Sequence, residues 1–281
     1  MDNVKVENLK KIYKDFVLRD ITFNVPQGTV VGVIGENGAG KSTTLNCILD
    51  TVKPDSGEIY IFGKNIVNLE VETRNRIGAV IGEDGLPSNL TARQAEKVLR
   101  GVLLRWSAEK FNNYLKKFEL PTDKQIGAFS RGMKQKLMIA VALSHETSLL
   151  VLDEPTSGLD PIARDEIIDV FYDYIQDEKH SIIFSSHILS DLEKICDYIL
   201  FIHKGKQIFF EEKNALYEKY GILNCGVKEF EEVPPEAVIG FNKTVYGVNA
   251  LVKRNLIGQK YKLEQAKIDD IMLYFIRGER K

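Results

Sequence analysis

The sequence has few cysteines and histidines: three and four, respectively, among 281 residues. Cys47, Cys196 and Cys225 are widely separated, and neither they nor the histidines show the spacing of metal ligands. Such a pattern is typical of reduced cysteines that pack in a core, rather than of disulfides. It therefore predicts no disulfide framework and no structural metal site.

A surplus of either charge is also missing. The 38 lysines and arginines nearly balance the 40 aspartates and glutamates, which gives a formal net charge of -2. Proteins that bind the phosphate backbone of DNA or RNA normally carry a basic surplus. We therefore expect no nucleic-acid partner, although a local basic patch is compatible with this balance.

Long hydrophobic runs are absent as well. Runs such as 137–143 are far shorter than the roughly 20 residues of a membrane-spanning helix, and the first residues lack a signal-peptide pattern. A composition of 44% hydrophobic and 28% charged residues is typical of ordinary globular proteins. We expect a cytosolic chain, or one that is peripheral to a membrane.

The strongest motif that is present is the segment GENGAGKST at 35–43, which follows the apolar run 29–34. A buried strand, a glycine-rich turn and a helix start form a P-loop, and a chance glycine turn is disfavoured because four positions match. Glycines let consecutive backbone N–H groups point into one phosphate-binding concavity. The predicted nucleotide contacts are Gly35, Asn37, Gly38, Ala39, Gly40, Lys41, Ser42 and Thr43.

Three of these side chains have specific predicted roles. Lys41 is expected to reach the outer phosphates as a point charge, and Thr43 an inner phosphate. The Ser42 hydroxyl suits a Mg²⁺ ligand. The motif therefore predicts binding of a nucleoside triphosphate with Mg²⁺.

Two later strands are expected to end beside this loop. The apolar strand 148–154 ends in Asp153, an outer partner of Mg²⁺, and Glu154, which is placed to orient or deprotonate an attacking water. The strand 181–187 ends in His187. Because the carboxyl ends of buried parallel strands meet at one edge, these side chains can share a site. A solvated acidic turn and a structural histidine are the simpler alternatives.

Two other residues have two interpretations each from the residues alone. Tyr13 can stack on adenine or simply pack within its segment. Ser130, with Gly132 beside it, begins a helix that continues to residue 143. In one interpretation Ser130 is simply the N-cap of this helix. In the other, the start of the helix is a second phosphate-binding end.

The rest of the sequence indicates a helical segment within the first part of the chain and a separate C-terminal part. Residues 90–145 are poor in strand signals and predict helices at 90–105 and 107–120, with Thr91 and Ser107 as N-caps. The composition changes near Glu211, after which two prolines, alternating segments and an apolar-faced helix at 268–276 predict a small α+β appendage.

In order and spacing, these motifs resemble the ATP-binding subunit of an ABC transporter over residues 1 to about 212. The P-loop, the strand motif 149–154, the D-loop 157–160 and the switch histidine His187 carry the resemblance. It implies an α/β fold: an ABC-type P-loop NTPase core with an antiparallel β subdomain and an inserted α-helical subdomain at about 90–145. The domains are then an ATP-binding domain, 1–212, and an accessory α+β domain, 213–281.

The resemblance also implies roles and partners. Tyr13 becomes an adenine-stacking residue, Ser130 and Gly132 contact the γ-phosphate of ATP bound to a second protomer, and Asp160 crosses the interface. The cofactors are ATP and Mg²⁺. The partners are a second ATP-binding subunit, either an identical copy or a close paralogue, and an integral membrane permease. The subunit is then peripheral, on the cytoplasmic face of the membrane.

Two departures from the family pattern are informative. The signature Leu-Ser-Gly-Gly-Gln is replaced here by FSRGM at 129–133, a spelling similar to that of the branch that exports drugs, lantibiotics and other antimicrobial peptides. At the position of the family's Q-loop glutamine stands Gly82, followed by Glu83. Either Glu83 substitutes for the glutamine, or coupling there relies on water and backbone.

The resulting hypothesis is an ATPase that powers export through a separate membrane subunit. Its catalytic residues are Lys41 and His187, which together with Mg²⁺ neutralise charge, and Glu154, which orients the water. The alternative is a soluble ABC ATPase that acts on ribosomes or DNA. Those relatives carry long coiled coils or two cassettes, whereas this chain has one P-loop and a short helical insert. A module that binds ATP without hydrolysing it is a third hypothesis, and Glu154 argues against it.

Overall fold

The computed structural model describes residues 1–82, 85–258 and 260–281. The chain forms two compact units, Met1–Phe210 and Glu211–Lys281. Within the described ranges, none of the helices has the length and apolar character needed to cross a bilayer.

One large mixed sheet organises the first unit. In spatial order its strands are β5-β4-β1-β2-β10-β9-β3-β8-β7-β6. Their bounds are β1 (Asp2–Ile12), β2 (Val17–Pro26), β3 (Val30–Ile34), β4 (Ser56–Ile61), β5 (Lys64–Asn65), β6 (Ile77–Val80), β7 (Leu149–Asp153), β8 (Ser181–Ser186), β9 (Tyr198–His203) and β10 (Lys206–Glu212). Strands β1, β2, β4 and β5 pair antiparallel, whereas β9, β3, β8, β7 and β6 pair parallel. The predicted combination of a parallel core with an antiparallel β portion is confirmed.

Helices connect and cover these strands. They are α1 (Lys41–Ile48), α2 (Val71–Arg74), α3 (Ala92–Val102), α4 (Ala108–Lys117), α5 (Arg131–Leu143), α6 (Pro161–Ile175) and α7 (Leu189–Ile195). Residues 90–145, all of which the structure describes, hold α3, α4 and α5 and no strand. Thr91 caps α3 in a capping box with Gln94, and Ser107 caps α4, as the sequence predicts. Both helices end before the residue predicted, ahead of a left-handed backbone position, Arg105 with a φ of 55° after α3 and Glu119 with a φ of 52° after α4.

The central strands have a continuous apolar pattern because the sheet is covered on both faces there. All five residues of β3 are buried, and so are all six of β8. The register aligns Ile34 with Ser186 and Asp153 with Ser185. The carboxyl ends of β3, β8 and β7 are therefore neighbours, which brings the segments that follow them to one edge.

The second unit has its own antiparallel sheet, in the order β12-β13-β11-β14. Its strands are β11 (Tyr220–Cys225), β12 (Val238–Thr244), β13 (Gly247–Lys253) and β14 (Leu263–Gln265), and its helices are α8 (Lys213–Lys219), α9 (Val227–Glu231) and α10 (Ile268–Arg277). A separate apolar cluster that includes Leu223, Phe230 and Val252 forms its core. This unit therefore buries apolar side chains of its own, as an independently packed α+β element does.

Candidate nucleotide site

A cavity of about 520 Å³ lies where the central strands end. Most of the predicted site residues line it, together with three that the sequence analysis did not single out. The predicted ones are Tyr13, Asn37, Gly38, Ala39, Gly40, Lys41, Ser42, Thr43, Glu154 and His187, and the additional ones are Phe16, Arg131 and Ser157.

Two glycines shape the loop that forms the floor of this cavity. Gly38 has a φ of 78°, and a Cβ at this position meets no atom within 4 Å, so the backbone there is open to the cavity. Gly40 has a φ of 115°, and a Cβ there would lie 2.6 Å from Leu18 Cδ1. Both positions lie in the left-handed region that favours glycine. The loop is thus a concave cradle of backbone.

The start of helix α1 completes this cradle. Gly40 is its N-cap residue and has no side chain to offer, so no side chain caps this end of the described helix. The first backbone N–H groups of a helix need acceptors from outside the helix, and the helix dipole favours an anion there. A triphosphate supplies both the acceptor oxygens and the negative charge, so the loop fits ATP.

Lys41 lines the cavity and is 6% exposed. Its ammonium donates to the Gly35 carbonyl oxygen at 2.9 Å, and its Nζ lies 3.4 Å from Glu154 Oε1. Gly35 itself does not line the cavity but orients the lysine through this bond. The buried cation is therefore held in place by the protein, in the same cavity that the P-loop lines.

Glu154 stands between two basic side chains. Its Oε1 faces Lys41, and its Oε2 accepts from His187 Nδ1 at 2.6 Å. Its backbone adopts a φ of 51°, a left-handed conformation that is uncommon for a residue other than glycine. Such strained residues cluster at functional sites. The structure brings together the three residues predicted to be catalytic, namely Lys41, Glu154 and His187.

Asp153 lies behind Glu154 and is held by Ser185. The Ser185 hydroxyl donates to Asp153 Oδ1, and the Glu154 N–H donates to the Ser185 oxygen at 2.9 Å. Ser185 lies at the end of β8 and orients both acidic residues. Ser42 lines the cavity, whereas Asp153 does not. A hydroxyl and a carboxylate are the kinds of oxygen donor that Mg²⁺ prefers, so the chemistry of these two side chains fits the ion.

The structure does not bring Ser130, Gly132 or Asp160 into the cavity of their own chain. Ser130 caps α5 by accepting the Met133 N–H at 3.2 Å, and Gly132 packs beside Leu159 of the D-loop. Asp160 caps α6, and the N–H groups of Ala163 and Ile162 that it accepts hold the pKa of its carboxyl below the ordinary value. The signature helix and the D-loop are therefore adjacent to each other.

Arg131 reaches the cavity although its two signature neighbours do not. Its guanidinium passes over Gly158, where a Cβ would lie only 2.4 Å from Nη1. Gly158 therefore leaves room for the arginine. The sequence does show that an arginine replaces a signature glycine at this position. The direction of the Arg131 side chain, however, depends on how the D-loop packs, which the sequence does not show.

The loop after β6 is described only in part. Gly82 is exposed and has a φ of 72°. Glu83, the candidate substitute for the Q-loop glutamine, lies outside the described residues. The prediction that Glu83 substitutes for the Q-loop glutamine therefore stays a prediction.

Tyr13 is 42% exposed on the wall of the cavity, with the Phe16 ring centroid 6.5 Å from its own. An exposed aromatic face beside a phosphate cradle suits a nucleobase, and base–aromatic stacking contributes about 1–3 kcal/mol. We expect Tyr13→Ala to weaken ATP affinity about tenfold by calorimetric titration. Tyr13→Phe keeps the ring and should bind ATP normally.

Inorganic triphosphate is the control ligand for this experiment because it lacks a base. Tyr13→Ala should leave its affinity unchanged. Equal losses for triphosphate and ATP would show that Tyr13 supports the loop instead of stacking on the base.

Comparison with known proteins agrees with this geometry. The model of the ABC transporter family matches residues 18–157. The bacitracin transport ATP-binding protein BcrA of Bacillus licheniformis is 38% identical over 223 residues, which cover 77% of this chain and 73% of that protein. The chain belongs to the ABC transporter family.

Other relatives agree. The lantibiotic transport ATP-binding protein SrtF of Streptococcus pyogenes is 39% identical over 212 residues, or 74% of this ABC chain and 90% of the relative. A solved ATP-binding subunit of an ABC transporter superposes with a TM-score of 0.67 at 29% identity, covering 76% of this chain and 91% of that one. The predicted fold class, family and ATPase activity are confirmed.

These relatives also separate the competing hypotheses. BcrA is named as a transport ATP-binding protein for bacitracin, and SrtF as one for lantibiotics. The transporter hypothesis and the resemblance to the export branch are therefore confirmed, and the ribosome or DNA alternative is not supported. This ABC chain is the ATP-hydrolysing subunit of a transporter.

Proposed function

We propose that this ABC subunit binds ATP with Mg²⁺ at two composite sites of a dimer and powers export of a drug or antimicrobial peptide through a separate membrane permease. The observation that carries the proposal is the cavity itself. It gathers Lys41, Glu154 and His187, while Ser130 and Gly132 stay outside it. Half of a hydrolytic site is thus complete within one chain.

ATP binding begins with the phosphates. The N–H groups of the P-loop and of the first turn of α1 donate hydrogen bonds to the phosphate oxygens, and the Lys41 ammonium neutralises the outer oxygens. The Tyr13 ring stacks on the adenine. When bound, Mg²⁺ at Ser42 and Asp153 supplies further charge neutralisation. Gly35, Asn37, Gly38, Ala39, Gly40 and Thr43 complete the loop that encloses the phosphates.

Hydrolysis then needs an oriented water. The water oxygen attacks the γ-phosphorus while Glu154 accepts a proton from the water. The bond between that phosphorus and the bridging oxygen of ADP then breaks. His187 holds the carboxylate through the 2.6 Å hydrogen bond and adds positive character beside the developing charge. The products are ADP and phosphate.

A second subunit supplies the missing contacts. Because Gly132 packs against Leu159, the signature helix and the D-loop present one continuous surface that includes Ser130 and Asp160. Two protomers arranged head to tail place this surface on each other's P-loop. The second subunit is an identical copy or a close paralogue, and hydrolysis requires the pair.

Membership of the family supports a membrane partner and a location at the membrane. The names of the relatives support export of a bacitracin-like or lantibiotic-like peptide. The ATP-binding domain, 1–212, then works on the cytoplasmic face of the membrane, with residues 213–281 as an accessory domain. No nucleic acid takes part.

Copurification tests the proposal. The tagged chain is isolated from native membranes after mild crosslinking, and its partners are identified by mass spectrometry. We expect an integral membrane protein in stoichiometric amount, both with the wild type and with Lys41→Ala, since complex formation does not need nucleotide. Ribosomal proteins in place of a membrane protein would contradict the proposal.

A further inference from the structure

A buried carboxylate lies outside the cavity and has no role in the steps above. Asp191 of α7 is only 2% exposed. Its Oδ2 accepts from the Thr156 hydroxyl at 2.7 Å, and its Oδ1 accepts from an Arg164 guanidinium nitrogen at 2.6 Å. Burying a charge is costly unless it is paired and hydrogen-bonded, and here both oxygens are satisfied. We call these three residues the Asp191 cluster.

The cluster joins three segments that lead directly from the proposed site. Thr156 comes two residues after Glu154, and Arg164 lies in the first turn of α6, which begins after Asp160. Asp191 lies in the first turn of α7, two residues into that helix and four after His187. The segments that follow Glu154, Asp160 and His187 are therefore anchored at one buried point.

The hydrogen bonds of the cluster fix the position of α7 relative to the segment that carries Thr156. Thr156 is fully buried, so it has no water to replace Asp191 as a partner. Arg164 also donates to the Ser190 hydroxyl at 3.1 Å, while its Nε is buried without a hydrogen-bond partner among the described residues. Because buried hydrogen bonds tolerate little change in distance or angle, a shift of α7 against the Thr156 segment breaks the cluster.

We propose that the Asp191 cluster is a positioning device that holds His187 against Glu154 and couples their geometry to the D-loop. Thr156 sits between Glu154 and the D-loop, so docking of the D-loop on a second subunit is transmitted through the cluster to α7 and His187. None of the three residues lines the cavity, and they act through the 2.6 Å contact between His187 and Glu154. This inference rests on the proposed function.

Thr156→Val tests it because valine keeps the shape and removes the hydroxyl. We expect kcat for ATP to fall roughly tenfold, with KM within about twofold, since misplacement affects the hydrolytic step more than binding. Thr156→Ser restores the hydroxyl and should restore kcat. A lower melting temperature without a change in kcat would overturn the proposal.

Thr147→Val is the matched control. Thr147 is also buried, and its hydroxyl donates to the Ala142 carbonyl at 2.7 Å, away from the cavity. We expect it to lower the melting temperature as Thr156→Val does but to leave kcat unchanged. Equal losses of kcat in both variants would mean that the cluster serves stability alone.

A double-mutant cycle with His187→Ala tests whether Thr156 acts through His187. If Thr156 acts through His187, adding Thr156→Val to His187→Ala lowers the single-turnover rate by less than about twofold. A further full tenfold loss would contradict coupling through His187. If Thr156→Val does not fold, Arg164→Lys, which keeps the charge but loses the planar donor, takes its place in both experiments.

The controls distinguish this inference from the proposed function. Lys41→Ala must lose ATP binding if the cavity is the nucleotide site. If it does and Thr156→Val behaves like Thr147→Val, only the positioning role fails. If Lys41→Ala still binds ATP normally, the proposed site itself is wrong.

Discussion

Glu154→Gln is expected to abolish steady-state ATP hydrolysis, by at least about 100-fold, while ATP binding is retained. Glutamine has nearly the same shape as glutamate but cannot take a proton from water. The Lys41 ammonium, 3.4 Å from Oε1, also loses a charged neighbour and is more available to phosphate. Phosphate release measures turnover, and titration with ATP measures binding.

The same variant should accumulate a dimer in ATP and Mg²⁺, because hydrolysis no longer separates the protomers. Gel filtration without the membrane partner detects it. Glu236→Gln, on the exposed surface of the second unit, is the control and should behave as the wild type. A Glu154→Gln chain that stays monomeric weakens the head-to-tail dimer, and retained turnover above a tenth of the wild-type rate excludes Glu154 as the base.

Ser130→Arg is expected to eliminate ATP hydrolysis although Ser130 lies outside its own cavity. In the proposed dimer this position faces the γ-phosphate of the partner subunit, where an arginine side chain leaves no room for close contact. The substitution also removes the cap of α5, which costs about 1 kcal/mol in stability. Steady-state ATPase activity and thermal melting separate these two effects.

Ser107→Arg is a matched control for the lost cap. Ser107 accepts the Lys110 N–H at 3.2 Å, the same distance at which Ser130 accepts the Met133 N–H. We expect a similar loss of stability with normal activity. If Ser130→Arg retained normal activity as well, the signature would have no part in the site.

Mixing two inactive variants tests whether the signature acts across the dimer. A Ser130→Arg chain has an intact P-loop, and a Lys41→Ala chain has an intact signature. A mixed dimer therefore rebuilds one complete site, and activity should reappear on mixing. No recovery would mean that Ser130 acts within its own chain.

Much of this site could be predicted from the sequence because its parts follow strands. The P-loop, Glu154 and His187 each come directly after a buried apolar run, and parallel strands in one sheet bring their carboxyl ends together. Local chemistry was also sufficient for the caps at Thr91 and Ser107, because an N-cap depends on a few adjacent residues.

Long-range packing explains what the sequence could not show. Ser185 looks like any strand residue, and its contact with Asp153 depends on the register between β7 and β8. The path of Arg131 over Gly158 and the pairing of Asp191 with Thr156 likewise join segments that are distant in the chain. The order of strands in the second unit arises from nonlocal pairing in the same way.

The left-handed backbone conformation of Glu154 lowers the stability of the fold at a residue that we propose to act in hydrolysis. A φ of 51° at a residue with a Cβ costs of the order of 1–3 kcal/mol, which glycine would largely avoid. A glycine at this position would relax the backbone but would remove the carboxylate that we propose as the base. The fold thus carries a local cost in stability at the one residue to which the proposed reaction assigns the proton transfer.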